Sequence, residues 1–130
     1  MIVLLAVKPG PLRDGLDALL YATPEVQLVA HANDTNAALK FCQQHPTKLI
    51  ILEVKPGDKD LLGNVKEMKA LSPQGQVIAM IHDENDRELA EMSGFDDVLS
   101  TGMRAVKLKE KIAEIVGTLI NEEKRSSKLA

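Results

Sequence analysis

Hydrophobic positions along the chain follow two periods that take turns. Short apolar runs at Ile2–Val7, Val26–Ala32, Leu49–Val54, Gln76–Ile81 and Asp97–Ser100 read as β-strands. The first, third and fourth are continuously apolar, as a strand covered on both faces requires. Val26–Ala32 is less uniform and belongs nearer an edge. Between these runs the period becomes helical. Leu12, Leu16, Leu19 and Leu20 make one face of a helix ending before Pro24. A second helix starts at Asp34 or Thr35, either of which can cap it by accepting a backbone N–H, and buries Ala38, Phe41 and Cys42. Leu61, Val65 and Met68 form a third stripe, and Leu89 with Met92 a shorter fourth, ended by Gly94. The fifth is the clearest: Leu108, Ile112, Ile115, Val116 and Leu119. The remaining Asn121–Ala130 is polar and aperiodic and reads as a frayed end or the start of a linker, leaving residues 1–120 as the folded unit.

Strands joined by crossover helices imply a parallel sheet with helices on both faces. Five rounds match the three-layer, doubly wound flavodoxin-like α/β fold, with a five-stranded parallel sheet in the order 2-1-3-4-5. Chemistry in such a sheet sits at the carboxyl ends of the strands. The first strand leads into Lys8, Pro9, Gly10 and Pro11, where one glycine stands between two prolines that lack N–H donors. That turn cannot cradle a phosphate, so the P-loop and dinucleotide readings fail.

Composition narrows the partners. The 130 residues carry 19 acids against 16 bases, and the only aromatic side chains are Tyr21, Phe41 and Phe95. With neither a basic excess nor stacking rings, direct nucleic-acid contact is not expected. A single cysteine, Cys42, excludes an internal disulfide and a thiolate zinc knuckle and points to the reducing cytoplasm. The opening apolar run is too short for a signal peptide or a membrane span. The expectation is a soluble cytoplasmic protein without cofactor, metal or membrane contact.

Two stretches carry a resemblance to a known family. Pro11–Val54, PLRDGLDALLYATPEVQLVAHANDTNAALKFCQQHPTKLIILEV, and the later SGFDDVLSTGM are similar to the receiver domain of two-component response regulators, particularly the LuxR-type subgroup. The resemblance implies an acidic pair for Mg²⁺ after the first strand, a phospho-accepting Asp after the third, a hydroxyl after the fourth and a lysine after the fifth. Two or more carboxylates hold the ion, the Asp is the nucleophile, and the hydroxyl and lysine neutralise phosphoryl oxygens. Carried over by position, the pair falls on Val7 and Lys8, the acceptor on Glu53, the hydroxyl on Ile81 and the lysine on Thr101, and none matches. A shift of register does not restore them, because Met1–Lys8 contains no carboxylate and Gln76–Asp83 no hydroxyl. The expectation is a degenerate receiver, not an enzyme, that works without phosphorylation as the front part of a transcriptional or signalling regulator. A conventional receiver with an atypical site and a small-ligand-sensing domain of the same fold are the alternatives.

Glu53 reads first as a structural carboxylate paired with Lys8 or Lys55, and second as a carboxylate one methylene longer than Asp that reaches toward the place of a phosphoryl group. His82 follows the fourth strand and can face the crevice, but His31 and His45 are remote in sequence, so no metal site is expected. Asp58, Asp60, Asp83 and Glu84 read as solvated loop acids, Cys42 as core, and Ser100 and Thr101 as hydroxyls without a base. The resemblance also implies contact with a protein partner or output domain, or with a second copy, through the fourth helix, fifth strand and fifth helix. Phe95, Val98, Met103, Arg104 and Lys107 are the candidates there.

Overall fold

The computed structural model describes the backbone of residues 1–129 and the side chains of residues 1–125. In chain order the elements are β1 (Ile2–Ala6), α1 (Pro11–Tyr21), β2 (Leu28–His31), α2 (Thr35–Gln44), β3 (Leu49–Glu53), α3 (Leu61–Leu71), β4 (Gln76–Ile81), a 3₁₀ turn (Glu84–Asp86), α4 (Arg87–Met92), β5 (Asp97–Ser100) and α5 (Ala105–Leu129). The five strands form one parallel sheet in the order β2-β1-β3-β4-β5, as the alternation of periods implies. β4 and β5 have the expected bounds. β1 and β3 stop one residue short of the apolar runs that announce them, because Val7 and Val54 stay buried after leaving the ladder. β2 keeps only Leu28–His31 of the Val26–Ala32 run, and with β5 it forms the two four-residue edges of the sheet.

Because successive strand residues point to opposite faces, the sheet divides its apolar side chains between two cores. Leu4, Ala6, Ile50, Leu52, Ala79 and Ile81 pack with α2, α3 and α4 on one face. Val3, Leu5, Val7, Ile51, Ile78, Met80 and Leu99 pack with α1 and α5 on the other. α1 buries Leu16 and Leu20 and starts with Pro11, whose missing N–H costs nothing at a helix start. Asp34 is the cap of α2, its side chain accepting from the Ala37 N–H at 2.7 Å.

One expectation fails. Leu89 and Met92 do not face the core: Met92 is 74% exposed, and α4 seats on the sheet side through Ala90. Over six residues a pair of apolar positions does not reveal which way it faces. Gly94 does follow this helix, at φ +91°, where a side chain would be strained. The polar segment after residue 120 is helical, because α5 runs on to Leu129. Glu122, Glu123, Lys124 and Arg125 are good helix formers, and a helix already nucleated by a packed stripe extends at little cost. Ala130 lies outside the described residues.

Candidate functional site

The carboxyl ends of β1, β3 and β4 meet at Glu53. Its pairing register with Met80 puts Glu53 and His82, two residues further along, on the same face of neighbouring strands. Only 2% of the Glu53 side chain is exposed, against 47% for His82. Both carboxylate oxygens are engaged. Oε1 accepts from the Lys8 backbone N–H at 3.0 Å, and Oε2 lies 2.5 Å from His82 Nε2. Burial pushes the Glu53 carboxyl up, but the Lys8 N–H, the His82 hydrogen bond and the positive charges of His82 and Lys8 together outweigh it, so the group lies below the ordinary carboxylate range.

Of the other sequence-predicted positions, Lys8 reaches this pair through its N–H, and Val7, Ile81 and Thr101 do not. Val7 is fully buried in the α1/α5 core, and Ile81 points to the opposite face of the sheet. Thr101 is exposed, its N–H bonding back to the Ile81 carbonyl at 3.0 Å. The expected partner of Glu53 was a lysine side chain. Lys8 is present, but it contributes its backbone N–H, and the side-chain partner is His82 instead of Lys55. What pairs them is the register of β3 with β4, which the sequence does not state: Glu53 stands opposite Met80, and His82 two residues on shares its face.

The resemblance to receiver domains implies Mg²⁺, and the residues here do not fit it. A hard cation needs several oxygen ligands, preferably carboxylates. Val7 and Lys8 offer none, and Glu53 has committed both oxygens within the protein. Among the described residues no three His, Cys, Asp or Glu side chains gather to hold a metal. Around the rim, Asp83 accepts from the Asn85 N–H at 2.9 Å, and Asp58 accepts from the Thr35 hydroxyl at 3.2 Å. The Arg87 guanidinium clasps Glu84 at 2.7 and 3.1 Å and holds its carboxyl below the usual range. Ser100 is buried, its Oγ accepts from the Gly102 N–H at 3.1 Å, and its hydroxyl helps to hold the Glu84 carboxyl down. Cys42 lies in the core, where burial pushes its thiol up, partly offset by a hydrogen bond with Thr47.

The proposed contact surface also changes membership. Phe95 and Val98 are 9% and 8% exposed and belong to the core. Met103 is partly buried against α5's core, while Arg104 and Lys107 are exposed. The apolar side chains that do reach the surface of this region are Leu89, Met92 and Val106. Among the described residues no helix is long and apolar enough to cross a membrane.

No family model matches the chain, and no curated protein matches it. Solved structures do. The response regulatory domain of MrkE from Klebsiella pneumoniae superposes with a TM-score of 0.78 at 12% identity, over 93% of this chain and 99% of that one. A LuxR family DNA-binding response regulator from Silicibacter pomeroyi gives 0.72 at 20% identity, over 90% and 92%. The receiver domain of a sensor histidine kinase from Pseudomonas aeruginosa, a structure with a magnesium ion coordinated in its active-site cleft, gives 0.70 at 19% identity, over 89% and 97%. These likenesses establish that the chain has the CheY-like fold of response-regulator receiver domains.

Proposed function

We propose that the protein is a receiver-like regulatory domain that acts through protein–protein contact, in the cytoplasm, without accepting a phosphoryl group. The observation that carries this reading is the state of Glu53. A phospho-acceptor must expose a carboxylate oxygen to attack phosphorus beside a cation. Glu53 is buried with both oxygens already hydrogen-bonded, and a lysine follows β1 where a metal-binding acid belongs. Ile81 and Thr101 lack the hydroxyl and ammonium that sense a phosphoryl group. What remains of the switch is the Glu53–His82 contact, which holds the β1, β3 and β4 ends in one arrangement.

The output surface in this reading is α4–β5–α5. It carries exposed Leu89 and Met92 among the acids Glu88 and Glu91 of α4, and exposed Val106 among the bases Arg104 and Lys107 at the start of α5. Apolar centres ringed by opposite charges suit a second copy or an output domain of matching pattern. The test is incubation with Mg²⁺ and acetyl phosphate or beryllofluoride, read by intact mass and amide NMR. No adduct and unchanged spectra are expected. A stable 80 Da gain (a phosphoryl group), or Mg²⁺-dependent shifts around Glu53, overturns the reading in favour of a conventional receiver.

A further inference from the structure

The crevice contact has a second property, which follows from what it holds down. His82 is the first residue after β4, and the chain runs directly from it through Asp83 into the 3₁₀ turn and α4. Apart from Ala90, that segment is fixed to the sheet through exposed polar groups, Glu84 by the Ser100 hydroxyl and Arg87 by the charge of Asp97. Among the turn and α4 only Ala90 is buried, and the α4 N-cap, Asp86, makes no side-chain cap bond. The Glu53–His82 contact is the polar tie that joins the acidic segment, with Asp83, Glu84, Asp86, Glu88 and Glu91, to a buried group, at the end of β3.

The two members of the tie differ in how they meet water. Glu53 is sealed beneath the β1–α1 loop, whereas nearly half of the His82 side chain is exposed, so a proton can reach the imidazole without opening the core. The titratable and charged groups around the pair are few. From the β1–α1 loop comes Lys8, with its N–H on Oε1 and its ammonium adding positive charge near Glu53. From β4 comes His82 itself. On the segment being tied, Asp83 is occupied by the Asn85 N–H and Glu84 by Arg87 and the Ser100 hydroxyl of β5.

We propose that the Glu53–His82 contact is a proton-controlled tether for the 3₁₀ turn and α4. With the imidazole protonated, the contact joins opposite charges and holds the segment against the sheet; with it neutral, a weaker hydrogen bond remains and the segment is freer. An imidazole is the one side chain whose ordinary titration spans the pH range of a cell. The buried carboxylate stays ionised throughout that range, because Glu53 is held below its usual value. A charge-assisted hydrogen bond is roughly twice as strong as a neutral one. This mechanism rests on the reading of the crevice as a non-phosphorylated contact, and it names the signal that the contact responds to.

Amide hydrogen exchange measured by NMR tests it, at about pH 6 and about pH 8, either side of the imidazole range, after correction for intrinsic exchange rates. In the unsubstituted protein, protection of residues 83–92 is expected to fall about threefold between the lower and the higher pH, with solvent screening already discounted. Protection of α3 is expected to stay constant. In H82Q, where the amide can still donate but does not titrate, the pH-dependent step is expected to vanish. Equal steps in the unsubstituted protein and H82Q, or no step in either, overturn the tether. E53Q provides a second arm, expected to lose the step and to shift the Lys8 amide; should it fail to fold, the exposed H82Q site still decides. A parallel sample at the higher pH with Mg²⁺ and beryllofluoride keeps the two readings apart. Spectral change there sinks the phosphorylation-independent reading, while a pH-invariant segment sinks the tether alone.

Discussion

α4 and α5 flank the same edge strand but are attached to it by different physics. α5 lays Ile112, Ile115, Val116 and Leu119 into the core it shares with α1, and Lys111 adds an ion pair to Asp97 of β5 at 3.2 Å. α4 has six residues and one buried side chain, the methyl of Ala90. Its last turn is closed by the Ser93 hydroxyl, which donates to the Leu89 carbonyl at 2.7 Å. Each buried branched aliphatic residue contributes about 1.5–3 kcal/mol, so α5 is anchored many times over while α4 depends on a cap, a short turn and the residues on either side. A docking surface built from both thus combines a fixed half with a half that can be moved at small cost.

The strongest way to break this contrast is to remove α5's anchoring. Ile112→Ala, at a site 2% exposed, is expected to cost about 3 kcal/mol in a urea titration. A cost below about 1 kcal/mol would place α5 with α4 among the loosely held elements. Glu53→Ala ranks next, because it leaves the Lys8 N–H without its acceptor and frees His82; a loss of about 2 kcal/mol is expected, and most of the amide shifts should fall in the segment from His82 to Met92.

Acid titration sharpens the same point with a known sign. The folded Glu53 carboxyl lies below its unfolded value, so its contribution is fully present above about pH 5 and is lost as pH falls through the folded value. The urea midpoint of the unsubstituted protein should therefore drop between about pH 5 and pH 3 by more than that of E53Q. The smallest stability effect belongs to α4: Leu89→Ala, at a half-exposed site, should change stability by less than about 0.5 kcal/mol. Its effect, like that of Lys107→Glu, is expected in the sedimentation coefficient if the surface pairs two copies, with the monomer's circular dichroism unchanged.

Much of this architecture is legible in the amino-acid sequence. Continuous apolar runs mark β1, β3 and β4, the looser Val26–Ala32 marks the edge, and the bounds of β4 and β5 match to the residue. The long stripe of α5 is legible because it repeats over several turns. α4 is not, because two turns are too few for periodicity to say which side is inward, and a small residue, Ala90, carries the packing. The polar end of α5 carries no stripe, so its helicity rests on propensity and on the anchored turns before it. At the crevice, the missing family residues are visible in the sequence, but the His82 partner of Glu53 is a tertiary fact that needs the pairing register of β3 with β4.

One detail of the sheet bears on how copies of this protein can meet. On the outer strand β2, the Val29 N–H donates to the Tyr21 hydroxyl at 3.2 Å. On the outer strand β5, the Val98 N–H donates to Asp97 Oδ1 at 2.8 Å, while Lys111 holds the other oxygen of that carboxylate. An open sheet invites growth by adding strands wherever its outer amides are free. Here a side chain stopper sits on each side, so lateral polymerisation meets a chemical obstacle at both margins, and association is steered toward helix surfaces, where charge pattern can select the partner.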